Sequence, residues 1–270
     1  MIQLSANAYG TSFHAAVTLR QGKTRVATAI LWGVAYWIVK FILTPVLRFF
    51  YRVRIEGRGN IPAEGPVILA GNHISFCDSI FLPLVMRRRV TFVAKAEYFE
   101  DPKTAWFFRA VGQIPIKRAG GNAAMRALET AREVLEEGGL FGIYPEGTRS
   151  PDGRLYKGHT GVARLAVDTG APVVAVAMIG TAEVQPIGQI MPKLFRTVTV
   201  KFSEPMYFGR DLTDAAPMKL RQVTDEIMFT LRELSEQEYV NRYAKRGEAV
   251  GEAEVSHPQP VAGLTPAMAS

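Results

Sequence analysis

The sequence predicts a single α/β domain with a mostly buried mixed sheet flanked by helices, preceded by an N-terminal membrane-associated helical segment. Three observations carry this. From residue 67 onward, short apolar runs alternate with helical patterns, the element order of an α/β fold. Two of those runs, residues 67–70 and 172–178, carry no charged or polar side chain, as strands buried on both faces do. The most apolar stretch, residues 26–51, comes first and is flanked by basic residues. At 270 residues and 48% hydrophobic composition, the chain can bury one sizeable core.

Along the chain, residues 67–70 read as a strand, 79–86 as an apolar helix and 91–94 as a strand. Residues 122–137 read as a helix, capped by Asn122, with Met125, Leu128, Val134 and Leu135 on its apolar face and Gly138-Gly139 as its stop. Residues 140–144 are a strand. Residues 160–169 are a helix closed by Gly170, and 172–178 are a buried strand. Residues 198–202 alternate apolar and polar, as a half-buried strand does, and 217–243 read as one long helix. The domain boundaries expected are 1–54 for the anchor, 55–245 for the α/β domain, and 246–270 for a tail of Gly, Ala, Glu and Pro without periodicity.

The net charge of +7 is not spread evenly. Residues 1–54 hold seven basic residues and no Asp or Glu, whereas the other 216 hold 25 of each sign. Basic residues beside an aromatic-rich apolar stretch fit a membrane surface and argue against nucleic acid as a partner. The uninterrupted apolar run, residues 26–39, is 14 residues long, short of the ~20 a spanning helix needs. Lys40 and Pro45 break the apolar stretch beyond it, and Lys40, Thr44, Arg48 and Arg52 recur at four-residue steps as one polar stripe. The expectation is a monotopic anchor on the cytoplasmic face of the cell membrane. Lys40, Arg48 and Arg52 would sit among headgroups, with Trp32, Phe41, Phe49 and Phe50 in the acyl boundary. A tilted span over 27–50 is the alternative. The single cysteine, Cys77, excludes an intrachain disulfide framework, and there is no Cys/His cluster for a structural metal.

The chemistry concentrates in four places. His73 and Asp78 stand five residues apart just after the strand at 67–70, where the carboxylate can fold back on the imidazole and fix its tautomer. Residues 112–118 form a short extended piece ending in Lys117 and Arg118. Residues 144–150 carry Glu146, Gly147, Thr148 and Arg149 on a Pro/Gly turn. Lys157 precedes a helix start. Arg118, Arg149 and Lys157 suit an anion such as phosphate, because guanidinium forks match its oxygens and lysine adds a point charge.

Taken in order, Asn72-His73-x4-Asp78, Gly112-x-Ile114-x-Ile116-x-Arg118, Tyr144-Pro145-Glu146-Gly147-Thr148-Arg149 and Ala171-Pro172-Val173-Val174-Ala175-Val176 resemble the four motifs of the glycerolipid acyltransferase family. Its best known members are the 1-acyl-glycerol-3-phosphate acyltransferases. The resemblance covers roughly residues 55–205. It implies transfer of an acyl group from acyl-CoA or acyl-carrier protein to a hydroxyl of a lyso-phospholipid, without metal or redox cofactor. It makes His73 the base and Asp78 its partner. Glu146, Gly147, Thr148 and Arg149 would hold the acceptor, with Arg118 on its phosphate; Asn72, Lys117 and Lys157 complete the expected substrate-binding set. Tyr144 stands where the family often has Phe, a difference expected to change little, and Cys77 stands at a variable position. Two other classes compete. A hydrolase is disfavoured by the lack of a Gly-x-Ser-x-Gly elbow and of a His-rich ligand set. A catalytically silent lipid-binding protein is disfavoured by the intact His73, Asp78 and 146–149 turn.

Overall fold

Residues 67–71 are apolar at every position because they run through the middle of the molecule. The computed structural model describes residues 31–116, 123–209 and 217–245. Helix α1 covers Leu31–Phe50. Strands β1 (Arg52–Glu56), β2 (Val67–Gly71), β3 (Val90–Lys95), β4 (Gln113–Ile116), β5 (Leu140–Ile143), β7 (Val173–Ile179) and β8 (Thr197–Phe202) form one sheet in the order β1-β8-β7-β2-β5-β3-β4. β7, β2, β5, β3 and β4 run parallel, and β8 turns antiparallel against β7, so the sheet is mixed as expected. Helices α2 (Asp78–Val85), α3 (Pro102–Ala110), α4 (Ala123–Glu136), α5 (Gly161–Thr169), α6 (Thr181–Val184) and α7 (Pro217–Ser235) complete the domain.

Alternate residues of β2 feed two cores. Val67 and Leu69 pack with Phe81, Leu82 and Val85 of α2 on one face. Ile68 and Ala70 pack with Ala131 of α4, Val162 and Leu165 of α5 and Ile227 of α7 on the other. Each fully buried side chain of this size contributes roughly 1.5–3 kcal/mol, so the strand needs apolar residues on both faces. Gly170 closes α5 in the left-handed conformation (φ 67°), its N–H donating to Ala166 O at 2.8 Å. Asn122, expected to cap α4, and the tail at 246–270 lie outside the described residues.

Three expectations are corrected. The helix at 217–243 ends at Ser235. Glu236 takes φ 60°, and the chain then pairs as β9 (Tyr239–Val240) with β6 (Leu155–Tyr156). The buried β6 backbone needs partners, and Glu238 O accepts from Leu155 N–H at 2.9 Å, so tertiary pairing overrides helix propensity. Second, the boundary at 54/55 falls inside β1, so Arg52 and Arg54 belong to the sheet. Third, Lys40 and Pro45 do not break α1, which is a continuous 20-residue helix long and apolar enough to cross a membrane. Lys40 turns inward instead: its ammonium donates to Met86 O, and Thr44 is half-buried too. Tyr36 is buried and Trp32 and Phe50 are half-buried, whereas Trp37, Ile38, Phe41, Ile42 and Phe49 are exposed. The helix therefore has a domain side and an outer apolar side.

Candidate active site

The parallel strands β2, β5 and β7 end at the same edge of the sheet, and the chemistry gathers there. β2 delivers Asn72 and His73 directly beyond its last residue. The turn to α2 folds Asp78 back onto the imidazole, with His73 Nδ1 and Asp78 Oδ2 2.9 Å apart. The same carboxylate oxygen accepts the backbone N–H groups of Ile74 and Ser75, each at 2.8 Å. The other oxygen accepts the hydroxyl of Thr181, at the start of α6. Asp78 is fully buried and is the first residue of α2, where the helix dipole favours a negative charge. An oxygen that takes three donors fixes Nδ1 as the protonated nitrogen, so Nε2 carries the lone pair. His73 is 17% exposed and lines a cavity of about 840 Å³. Nε2 has no hydrogen-bond partner among the described residues, which leaves it able to take a proton from a group bound there.

The imidazole is also held on its face. Tyr144, at the end of β5, stacks on it at 3.9 Å between centroids and 8° between planes. Phe92 stacks behind Tyr144 at 5.4 Å, and Tyr144 Oη lies 3.0 Å from Ser79 Oγ. Gly142 makes this stack possible, because a Cβ there would lie 2.2 Å from the Phe92 ring. Beyond the ring, Tyr144 has a hydroxyl that ties it to α2.

The expected binding residues divide into two groups. Asn72 and Glu146 are buried scaffold and not cavity wall. Asn72 Oδ1 accepts Met178 N–H at 2.7 Å, and its Nδ2 donates to Met178 O at 3.1 Å and Gln237 Oε1 at 2.7 Å. Glu146 is 1% exposed, and its oxygens accept the N–H groups of His73 at 3.2 Å and Tyr156 at 2.9 Å. Their hydrogen-bond partners are the protein's own, an arrangement that holds the turn carrying His73 in place. Burial pushes the Glu146 carboxyl up to about 7, against the two N–H bonds, which favour its charged form. Gly147, Thr148 and Arg149 do line the cavity. Gly147 turns at φ 72° with the His159 ring 3.1 Å from where a Cβ would stand, so the turn requires glycine. Arg149 is exposed and makes no hydrogen bond or ion pair among the described residues. Lys157 Nζ lies 5.8 Å over the Tyr243 ring, beside the wall and not in it. Lys117 and Arg118 lie outside the described residues.

The structure adds residues that short-range patterns do not point to. Thr181 and Gln237 reach the catalytic turn from more than 100 positions away. Arg164 of α5 lines the same cavity as Arg149 and is likewise without a side-chain partner among the described residues. Its signal was present, a lone cation on an otherwise apolar helix stretch. His159 is a cavity-wall residue stacked on Tyr243 at 4.5 Å, and burial, with Arg221 nearby, lowers its proton affinity. Cys77 is buried, and burial raises its thiol pKa. The rest of the wall is mainly apolar and aromatic, including Ile80, Leu84, Phe107 and Phe108, with Val39 and Leu43 from α1. No group of three His, Cys, Asp or Glu side chains suited to a metal occurs among the described residues.

Comparison with known proteins places this geometry. The model of a family described as Acyltransferase matches residues 52–179. The chain is 34% identical over 140 residues to the chloroplastic 1-acyl-sn-glycerol-3-phosphate acyltransferase LPAT1 of Arabidopsis thaliana, covering 52% of this chain and 39% of that protein. It is 32% identical over 176 residues to the chloroplastic 1-acyl-sn-glycerol-3-phosphate acyltransferase BAT2 of Brassica napus, covering 64% and 51%. The chain thus spans about half or less of the length of these curated relatives. The crystal structure of the 1-acyl-sn-glycerophosphate acyltransferase PlsC from Thermotoga maritima is similar at a TM-score of 0.59 and 28% identity, covering 82% of this chain and 88% of that one. Over the segment that supplies His73, Asp78 and the 144–149 turn, the chain matches the acyltransferase family model.

Proposed function

We propose that this chain is an O-acyltransferase that moves a fatty acyl group from acyl-CoA or acyl-carrier protein to the free hydroxyl of 1-acyl-glycerol-3-phosphate, giving phosphatidic acid. The observation that carries this is the pairing, in one cavity, of an imidazole held by Asp78 through Nδ1 and two guanidinium groups on the wall without partners among the described residues. His73 Nε2 takes the hydroxyl proton as the oxygen attacks the thioester carbon. The C–S bond then breaks, and the proton passes to the departing thiolate. Asp78 holds the tautomer and stabilises the imidazolium formed in between. Arg149 and Arg164 hold the phosphate, joined by Arg118 as the sequence resemblance implies; Thr148 and Gly147 shape the turn beneath it. A thioester is already activated, so the step needs no metal or redox cofactor, and alignment of the two substrates supplies much of the rate.

The acceptor reaches the site from a membrane. Helix α1 suits an interfacial position on the cytoplasmic face: its inner side forms cavity wall and its outer side is apolar. A spanning α1 would draw the wall of the cavity into hydrocarbon. The test is radiolabelled acyl-CoA and acyl-carrier protein offered to purified enzyme with a panel of lyso-lipids, with and without EDTA. Transfer to lysophosphatidic acid, unaffected by EDTA and faster than to a lyso-phosphodiester, is expected. Transfer to no lyso-lipid, with binding retained, would make it a silent lipid-binding protein; loss in EDTA would make the chemistry metal-dependent.

A further inference from the structure

We propose that the loop at residues 185–196, between α6 and β8, is a second membrane-inserting element that enters the same leaflet as α1. Every residue from 187 to 196 is exposed. Five of them are large and apolar: Ile187, Ile190, Met191, Leu194 and Phe195, with Ile190 87%, Met191 78% and Phe195 71% exposed. A cluster of this kind marks a surface that something apolar covers. The backbone beneath it is held in place. Gln185 Nε2 donates to Gln189 O at 3.1 Å and Ile190 O at 3.0 Å, and Lys193 N–H donates to Val184 O at 2.7 Å. Phe195 takes φ 58°, which a bulky residue adopts only under constraint.

Three observations select a lipid bilayer as the occupant. The first is continuity. Phe195 N–H donates to Phe50 O at 2.9 Å, and the two rings lie 6.0 Å apart, so the loop abuts the end of α1 beside exposed Phe49. The second is charge. No acidic residue stands between Glu183 and Glu204, and exposed Lys193 and Arg196 flank the apolar tips, the arrangement that suits anionic headgroups above acyl chains. The third is place. The loop lies past the carboxyl end of β7, the edge at which His73 leaves β2. Its first residue touches the catalytic turn: Ser75 Oγ donates to Gln185 O at 2.9 Å, and Cys77 Sγ to Gln185 Oε1 at 3.4 Å. A leaflet that receives both α1 and this loop lies beside the turn that must meet a membrane-borne acceptor. The inference rests on the reading of α1 as an interfacial anchor.

The test places one environment-sensitive fluorophore on the full chain in a Cys77→Ala background, at Ile190→Cys, Phe41→Cys or Glu129→Cys, the last on α4 across the sheet. Vesicles of phosphatidylcholine and phosphatidylglycerol carry doxyl-labelled quencher lipid. The probes at 190 and 41 are expected to shift to the blue and be quenched, while the probe at 129 is not. Ile190→Glu/Met191→Glu should leave thermal unfolding unchanged and weaken vesicle partitioning by roughly tenfold or more, as two large apolar groups no longer leave water. A probe at 190 that stays in water while the one at 41 is quenched overturns the loop inference and leaves the anchor standing. Both probes remaining in water overturns the two together. A lipid-free blue shift at 190 that grows with protein concentration assigns the face to a second copy of this chain and overturns the membrane reading.

Discussion

The catalytic turn and the cationic wall face the same cavity and are built in opposite ways. At the turn, each buried polar group meets a partner from the protein: Asp78 accepts from His73, Ile74, Ser75 and Thr181, and Glu146 from His73 and Tyr156. On the wall, Arg149 and Arg164 meet none among the described residues. A group whose hydrogen bonds are satisfied internally fixes geometry, and a charge left unmatched beside a cavity is available to a ligand. Substitutions at the turn should therefore act on kcat or on stability, and those at the wall on the acceptor KM.

The largest expected effect is at His73. His73→Ala should lower kcat by about 10²–10⁴-fold, the usual cost of losing a general base. Circular dichroism and thermal unfolding should stay near wild type, because the ring carries little of the core. Activity within a few-fold of wild type in folded protein would end the assignment. Asp78→Asn comes next. It should also cost about 10²-fold or more in kcat by releasing the tautomer, but unlike His73→Ala it should lower stability by roughly 1–3 kcal/mol, since buried donors lose an acceptor. Chemical denaturation separates the two variants.

At the wall, Arg149→Ala and Arg164→Ala should each raise the acceptor KM by roughly tenfold or more, as a charge-assisted bond to phosphate is lost, with the donor KM little changed. A selective rise in donor KM would move these cations to the donor. A smaller effect concerns Glu146, whose folded pKa of about 7 stands above its ordinary value of 4.5. A raised carboxyl pKa means that the folded state favours the proton. The stability this adds is fully present below about 4.5 and lost as pH rises through about 7. Thermal unfolding of wild type against Glu146→Gln between these limits should show a slope in wild type that the variant lacks; parallel curves would contradict it. Tyr144→Phe should be mildest. It keeps the stack on His73 and loses the contact to Ser79, for about 0.5–1.5 kcal/mol of stability and a few-fold change in kcat at most; a collapse of kcat would give the hydroxyl a direct part in the reaction.

Much of this was legible in the sequence. The buried strands β2 and β7 declared themselves by apolar runs, and α5 by its periodicity and Gly170. His73 and Asp78 were legible because a turn of five residues brings them together by itself. The end of α7 was not, because residues 236–243 carry helix-compatible side chains and only the β6 backbone draws them into an extended pair. Glu146 and Arg149 look alike in sequence, polar residues three apart on one turn. One is buried against Tyr156 N–H and the other is exposed, which depends on where β6 lies and not on residue type.

By itself, then, the sequence determined the alternation of elements, the burial of the central strands, the pairing of His73 with Asp78, and a basic apolar segment before the sheet. The tertiary structure decided the rest. It brought Thr181 to Asp78, Gln237 to Asn72 and Arg164 to the cavity, turned Lys40 inward onto Met86, and set loop 185–196 beside the end of α1. The reason is one of range. Periodicity and turn chemistry act over a few residues, where the chain's own geometry fixes who meets whom. Partners more than a hundred residues apart meet only because β7 lies next to β2 in a sheet whose order departs from that of the chain.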